Sequence, residues 1–146
     1  MNIAIGSDHA GFGLKEHLKN YLASAGITIK DFGVYSEESA DYPDIAANVS
    51  TAVQSEDFTN GILICGTGIG MSIAANKYRG IRAALCAEPF SARFAREHNN
   101  ANIITLGSRV TGPGLAESIV DAYLASVFEG GRHSRRLDKI AGMENE

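Results

Sequence analysis

Short apolar runs alternate along this chain with longer segments whose apolar residues recur every three or four positions. Asn2 to Ile5 reads as a strand and is closed by Gly6-Ser7-Asp8-His9-Ala10-Gly11. Leu14, Leu18, Tyr21 and Leu22 fall at helical spacing, and Gly26 ends that helix. Ile27, Ile29 and Phe32 fit a second strand, followed by a polar loop from Gly33 to Pro43. Ile45, Val49 and Val53 share a helix face. Ile62-Leu63-Ile64 is the continuous apolar run of a strand buried on both faces. It leads through Cys65 into Gly66-Thr67-Gly68-Ile69-Gly70, then an alanine-rich segment, Ser72 to Lys77, that reads as helix. Ile81 to Cys86 makes a fourth strand, and Pro89 suits the first turn of the next helix. Phe90, Phe94 and His98 lie on one stripe of that helix, which Asn99-Asn100 ends. Asn102 to Leu106 is a fifth strand, leading into Gly107-Ser108-Arg109. A last patterned helix starts at Thr111-Gly112-Pro113, carries Leu115, Ile119, Tyr123 and Val127 on one face, and stops at Gly130-Gly131. A basic segment follows from Arg132.

Five strands alternating with helices predict an α/β fold, a five-stranded parallel sheet covered on both faces. No linker or internal repeat divides the chain, so residues 1–146 are expected to form one domain. Ligands of such sheets bind beyond the carboxyl ends of the strands. That rule gathers Asp8, His9, the Cys65–Gly70 loop and Arg109 at one edge.

Composition narrows the partners. With a formal net charge of −4, nothing favours general attraction to nucleic acid or an anionic membrane surface. No apolar run approaches the roughly 18–20 residues that span a bilayer. Met1-Asn2-Ile3 enters a strand without a signal-like block, and two cysteines, Cys65 and Cys86, make no disulfide framework. A reducing cytoplasm is the expected compartment, and no metal-ligand spacing stands out.

The glycine loop carries the most chemistry. It lacks the G-x-G-x-x-G of a dinucleotide fingerprint and the Gly-Lys-Ser/Thr ending of a nucleotide P-loop. A cysteine-phosphatase loop would need an arginine where this chain has Met71. What remains is a tight, amide-rich loop at a helix start with a thiol at its entrance, suited to binding an anion. Cys65 then serves as a covalent nucleophile or as a general base beside an oxyanion held by the loop amides. A lone cysteine is more often a buried core residue, but three glycines at alternate positions make a flexible loop with no packing purpose.

Other candidates surround it. Asp8-His9 is a turn or helix cap, or a pair of side chains aimed at the same edge. His98 reads on position alone as a core histidine, though its place at a helix end keeps it available as an acid or base. Arg132, His133, Arg135, Arg136 and Lys139 form a basic cluster on an acidic chain, and Arg132 and Arg136 share a face if that segment is helical. Paired guanidinium groups suit a phosphate. Glu129 and Asp138 lie near enough in sequence to neutralise part of the cluster.

Together these segments resemble the type B ribose-5-phosphate isomerases, a family that includes the galactose-6-phosphate isomerase subunits and enzymes acting on allose 6-phosphate. The likeness rests on Gly6-Ser7-Asp8-His9-Ala10-Gly11, Asp41-Tyr42-Pro43, Gly61 to Gly70, His98-Asn99, Gly107-Ser108-Arg109 and Glu129-Gly130-Gly131-Arg132-His133, and covers nearly the whole chain. The resemblance implies a Rossmann-like three-layer sandwich, a homodimer or homotetramer with sites between subunits, and no metal or organic cofactor. It implies reversible aldose–ketose isomerisation of a sugar phosphate, first of all ribose 5-phosphate to ribulose 5-phosphate. A hexose 6-phosphate substrate and a non-catalytic sugar-phosphate binder are the alternatives.

Matched position by position, Cys65 falls on the family's catalytic base; some members use instead a glutamate where this chain has Met71. Gly66, Gly68, Ile69 and Gly70 match the enediolate loop, and Thr67 a residue assisting Cys65. Asp8 matches the group handling the O1/O2 proton, His98 the ring-opening residue and Asn99 a substrate contact. His9, Arg109, Arg132 and Arg136 match phosphate contacts, so the C-terminal segment 132–146 would complete the phosphate site. His98, Asn99 and Arg109 are expected from the neighbouring subunit.

Overall fold

The computed structural model describes residues 1–145. Five parallel strands form one sheet: β1 Asn2–Ser7, β2 Thr28–Asp31, β3 Asn60–Cys65, β4 Ala83–Leu85 and β5 Ile103–Gly107. Six helices connect or follow them: α1 Phe12–Ser24, α2 Tyr42–Gln54, α3 Ile69–Ala75, α4 Pro89–Asn99, α5 Pro113–Leu124 and α6 Arg132–Met143. The spatial order is β2-β1-β3-β5-β4. The chain leaves β1 toward one side of the sheet and β3 toward the other, so the order reverses between these two strands. Their adjoining carboxyl ends form the crevice in which open α/β sheets bind ligands.

Alternation along the strands builds two cores. Ile3, Ile5, Ile62, Ile64, Ile104 and Leu106 face α1, α4 and α5, whereas Ala4, Leu63, Cys65 and Ile103 face α2 and α3. Both faces of β3 are therefore covered, as its unbroken apolar run requires. Tyr123 is buried at the first core, with its hydroxyl 2.8 Å from both Asn60 Oδ1 and the Ala101 carbonyl.

Several helices differ from their sequence pattern. The Phe90–Phe94–His98 stripe faces away from the sheet: Ala92 and Ala95 are the buried residues of α4, and Phe90 is 71% exposed. Small side chains let α4 lie close on the core, a choice that outranks hydrophobicity alone. Helix α5 stops at Leu124, six residues before Gly130, leaving Val127 exposed. Helix α3 begins at Ile69, three residues earlier than the alanine pattern indicates, and β4 is shorter than the Ile81–Cys86 run. The basic segment is helical, so Arg132 and Arg136 do share a face of α6.

Candidate active site

Cys65 ends β3, and its side chain is buried beneath the loop that follows. Gly68 lies in the left-handed region, φ 79°, and turns the chain so that its own N–H donates to Cys65 Sγ at 3.1 Å. Thr105 Oγ1 donates to the Gly68 carbonyl at 2.9 Å and pins the turn from β5. A Cβ on Gly68 would meet Leu85 Cδ1 at 2.6 Å, and one on Gly70 would meet the Tyr42 ring at 2.7 Å. These glycines are fixed by close approach. The first-turn N–H groups of α3 point back toward the loop, adding positive potential there.

The neighbouring strands bring their own groups to this edge. The Asp8 N–H donates to the Ile64 carbonyl at 3.1 Å, and Asp8 Oδ1 accepts from the Gly11 N–H at 3.0 Å. Asp8 therefore braces the start of α1 while standing beside the end of β3. His9 Nδ1 accepts from the Ala40 N–H at 3.2 Å, which leaves Nε2 as the position for a proton or an anion contact. Ser108 and Arg109 donate through their backbones to the Cys65 and Gly66 carbonyls at 2.8 and 3.0 Å. The Arg109 side chain packs over Gly66, whose Cβ position lies 3.4 Å from its guanidinium. Arg109 thus borders its own chain's loop, whereas the resemblance groups it with the neighbour's residues.

Thr67 departs from expectation. Its hydroxyl accepts from the Ile69 N–H at 3.2 Å and the residue is exposed; the sulfur's partner is the Gly68 amide. Met71, at the position of the alternative glutamate, is wholly buried in the core under α3.

The remaining candidates form a second group at the opposite edge. A helix after a parallel strand runs back toward the strands' amino ends, so His98 and Asn99 at the end of α4 lie near the start of β5. The Asn99 carbonyl accepts from Arg82 Nε at 3.1 Å, just ahead of β4. Cys65 is paired with Gly107 at the far end of β5, four residues from Ile103 and thus about 13 Å along the strand. Arg132 and Arg136 belong to the His98 group, because α6 packs against α4 and the Glu129 N–H donates to the Glu97 carbonyl at 3.0 Å. His133, on the first turn of α6, stacks on His98 with centroids 4.1 Å apart. The sequence left His133 within a basic cluster; its spacing of four from Glu129 was the available signal. A cavity of about 650 Å³ between α6 and the β4 edge has Asn99 on its wall and Cys65 outside it.

Cys86 is unlike Cys65. Burial, with the Glu88 charge adding, pushes its thiol up to about 11, the mark of an inert core cysteine.

The crevice thus holds a thiol under an amide loop, with an acid, an imidazole and an arginine on adjoining strand ends. The model of the Ribose/Galactose Isomerase family matches residues 3–140. The chain belongs to this ribose/galactose isomerase family. Ribose-5-phosphate isomerase B of Escherichia coli (strain K12) is 49% identical over 142 residues, covering 97% of this chain and 95% of that protein. D-erythrulose-4-phosphate isomerase of Pectobacterium atrosepticum is 44% identical, covering 100% of this chain and 97% of its own. Among solved structures, ribose-5-phosphate isomerase B of Clostridium thermocellum superposes with a TM-score of 0.98 at 51% identity, covering 99% and 98% of the two chains. The enzyme of Mycoplasma genitalium with bound ribulose-5-phosphate gives 0.94 at 44%, covering 99% and 97%. The family's three-layer fold is the fold of this chain. Among the described residues, no helix is long and apolar enough to cross a membrane.

Proposed function

We propose that this chain catalyses the reversible isomerisation of ribose 5-phosphate and ribulose 5-phosphate in the cytoplasm, with no cofactor, at sites shared between two copies. The carrying observation is Cys65, placed at the β1/β3 crevice with its sulfur oriented by the Gly68 amide. As thiolate it takes the C2 proton of the open-chain aldose and returns it to C1, while the Gly66–Gly70 amides hold the charge developing on the enediolate oxygens. Asp8 moves the proton between O1 and O2. His98 gives a proton to the ring oxygen as the furanose opens, and Asn99 holds a sugar hydroxyl. His9, Arg109, Arg132 and Arg136 take the phosphate.

The spread of these groups supports the shared site. Cys65 and His98 lie at opposite edges of one sheet, so both act on one sugar only when a second copy presents its His98 edge to the Cys65 crevice. Ile69 and Ile73 on α3, Leu85 on β4 and Phe90 on α4 are exposed apolar side chains suited to such an interface. Helix α6 begins with an arginine and a histidine at its electropositive end, a costly placement that a bound phosphate offsets.

Cys65→Ala is expected to abolish ketose formation while leaving the fold intact; near-normal turnover would refute Cys65 as base. Mixing Cys65→Ala with His98→Ala chains is expected to restore part of the activity, because one composite site becomes whole; no recovery after subunit exchange would refute sharing. Turnover is expected to survive exhaustive chelation. The similarity to a tetrulose-phosphate isomerase makes a four-carbon sugar phosphate a second substrate to compare, alongside allose and galactose 6-phosphates.

A further inference from the structure

We propose that Glu129 and His133 are positioning residues for His98, fixing its ring for proton exchange with the ring oxygen of a cyclic sugar phosphate. The proposal rests on the role given to His98 above.

The His98 ring has neighbours of two kinds. Phe94 meets it edge-on, with centroids 4.6 Å apart at 61°, and His133 lies nearly parallel to it at 14°. His98 is partly exposed, whereas His133 is buried, 4% exposed. Glu129 Oε2 stands 3.4 Å from His133 Nε2 and 3.8 Å from His98 Nε2. The loop bearing Glu129 is tied to α4 one residue before His98 by the bond to the Glu97 carbonyl. His133 Nε2 is buried without a hydrogen-bond partner, an arrangement that costs stability and needs a compensating purpose.

These three residues place ligand atoms within 4.8 Å of one another, which invites a metal reading. The near-parallel rings oppose it. A cation about 2.0–2.1 Å from each nitrogen must lie close to both ring planes, and stacked planes do not meet. A proton-handling role suits the geometry better. Burial lowers the proton affinity of His133, and the nearby His98, Arg132 and Arg136 charges lower it further against the opposing pull of Glu129. A neutral His133 gives His98 a flat, polarisable support without adding a second charge, and the Glu129 carboxylate faces the edge that carries the mobile proton.

The test uses the full chain with Glu129→Gln, His133→Ala and His133→Phe. Ribose 5-phosphate enters as a ring and reports ring opening plus proton transfer. Ribulose 5-phosphate, with O5 blocked, is open-chain, so deuterium uptake from D2O at its C1 reports the base step alone. Glu129→Gln and His133→Ala are expected to lower ribose 5-phosphate turnover about tenfold or more, with deuterium uptake within about twofold of the parent. His133→Phe keeps a flat ring beneath His98 and is expected to recover most of the turnover. Equal loss in both readouts, equal behaviour of the Ala and Phe variants, or unchanged turnover in the first two variants would each overturn the proposal. Thermal unfolding midpoints show that each variant is folded, and the Ala–Phe comparison decides the question on turnover alone. A parent chain inactive in both assays would instead defeat the isomerase reading, and the proposal with it.

Discussion

Gly107→Ala perturbs the site through the backbone of the Cys65 loop, without removing any side chain proposed to contact the sugar. Gly107 pairs in register with Cys65, and a Cβ there would stand 2.7 Å from both the carbonyl carbon and oxygen of Thr67. Ordinary contact begins near 3.4 Å, so the Thr67 peptide must retreat by about 0.7 Å. That peptide leads directly into Gly68, whose N–H orients the sulfur. Misplacement of a reacting group by about 1 Å costs on the order of a hundredfold in rate, so the variant is expected to lose about ten- to a hundredfold in kcat. Forcing a methyl into close-packed backbone should also cost about 1–3 kcal/mol of stability. Gly114→Ala is the control, since nothing lies within 4 Å of its Cβ position. Ketose formation from ribose 5-phosphate and urea unfolding measure the two effects. A Gly107→Ala chain with kcat within about twofold of the parent and unchanged stability would refute the claim that this close approach sets the position of Cys65.

Asp31→Asn removes the nearer charged partner of fully buried Lys15, 2.7 Å away, leaving Glu16 at 3.6 Å, and is expected to cost up to about 3–5 kcal/mol in urea unfolding. Tyr123→Phe leaves Asn60 Oδ1 without its buried donor, while the Ala101 carbonyl keeps Arg96 Nη1 at 3.1 Å, and should cost about 1–3 kcal/mol by the same measurement. Acid should weaken the fold in two windows. His133 binds its proton less readily folded than unfolded, so its contribution is present above about pH 6.5 and is lost as pH falls below that, a slope that His133→Phe removes. Burial works against ionised Asp31, but hydrogen bonds from Lys15, Lys19 and the Gly33 N–H outweigh it, so its contribution is present above about pH 3.8 and lost below. Unfolding midpoints across pH 3–8 check both signs. Cys86→Ala is expected to leave turnover unchanged, because that thiol is buried and held protonated.

Periodicity was enough to read the strands, most of the helices and the place of Cys65 at a strand end, because burial on both faces forces an unbroken apolar run and a glycine loop has few other uses. It misjudged α4, where Phe90 and Phe94 carried the apolar signal while Ala92 and Ala95 made the core contacts. Hydrophobicity says that a face avoids water, not whether it does so inside its own chain. The sequence also could not show that Thr67 bonds Ile69 while Gly68 bonds the sulfur, since both lie within hydrogen-bond reach of the loop and only backbone dihedrals choose between them.

From its pattern and motifs alone, the chain determines an alternating α/β fold, an anion-binding loop with a thiol at its mouth, and a resemblance that names the chemistry. Tertiary structure alone decided that the order reverses between β1 and β3, which opens a crevice beside the Asp8, His9, Cys65 and Arg109 group that the strand-end rule had already gathered at one edge. It also decided that His98, Asn99, Arg132 and Arg136 gather at the other edge, with His133 and Glu129 among them. The reason is directional: each helix runs back against its strand, so residues at helix ends and residues at strand ends part company by the length of the sheet.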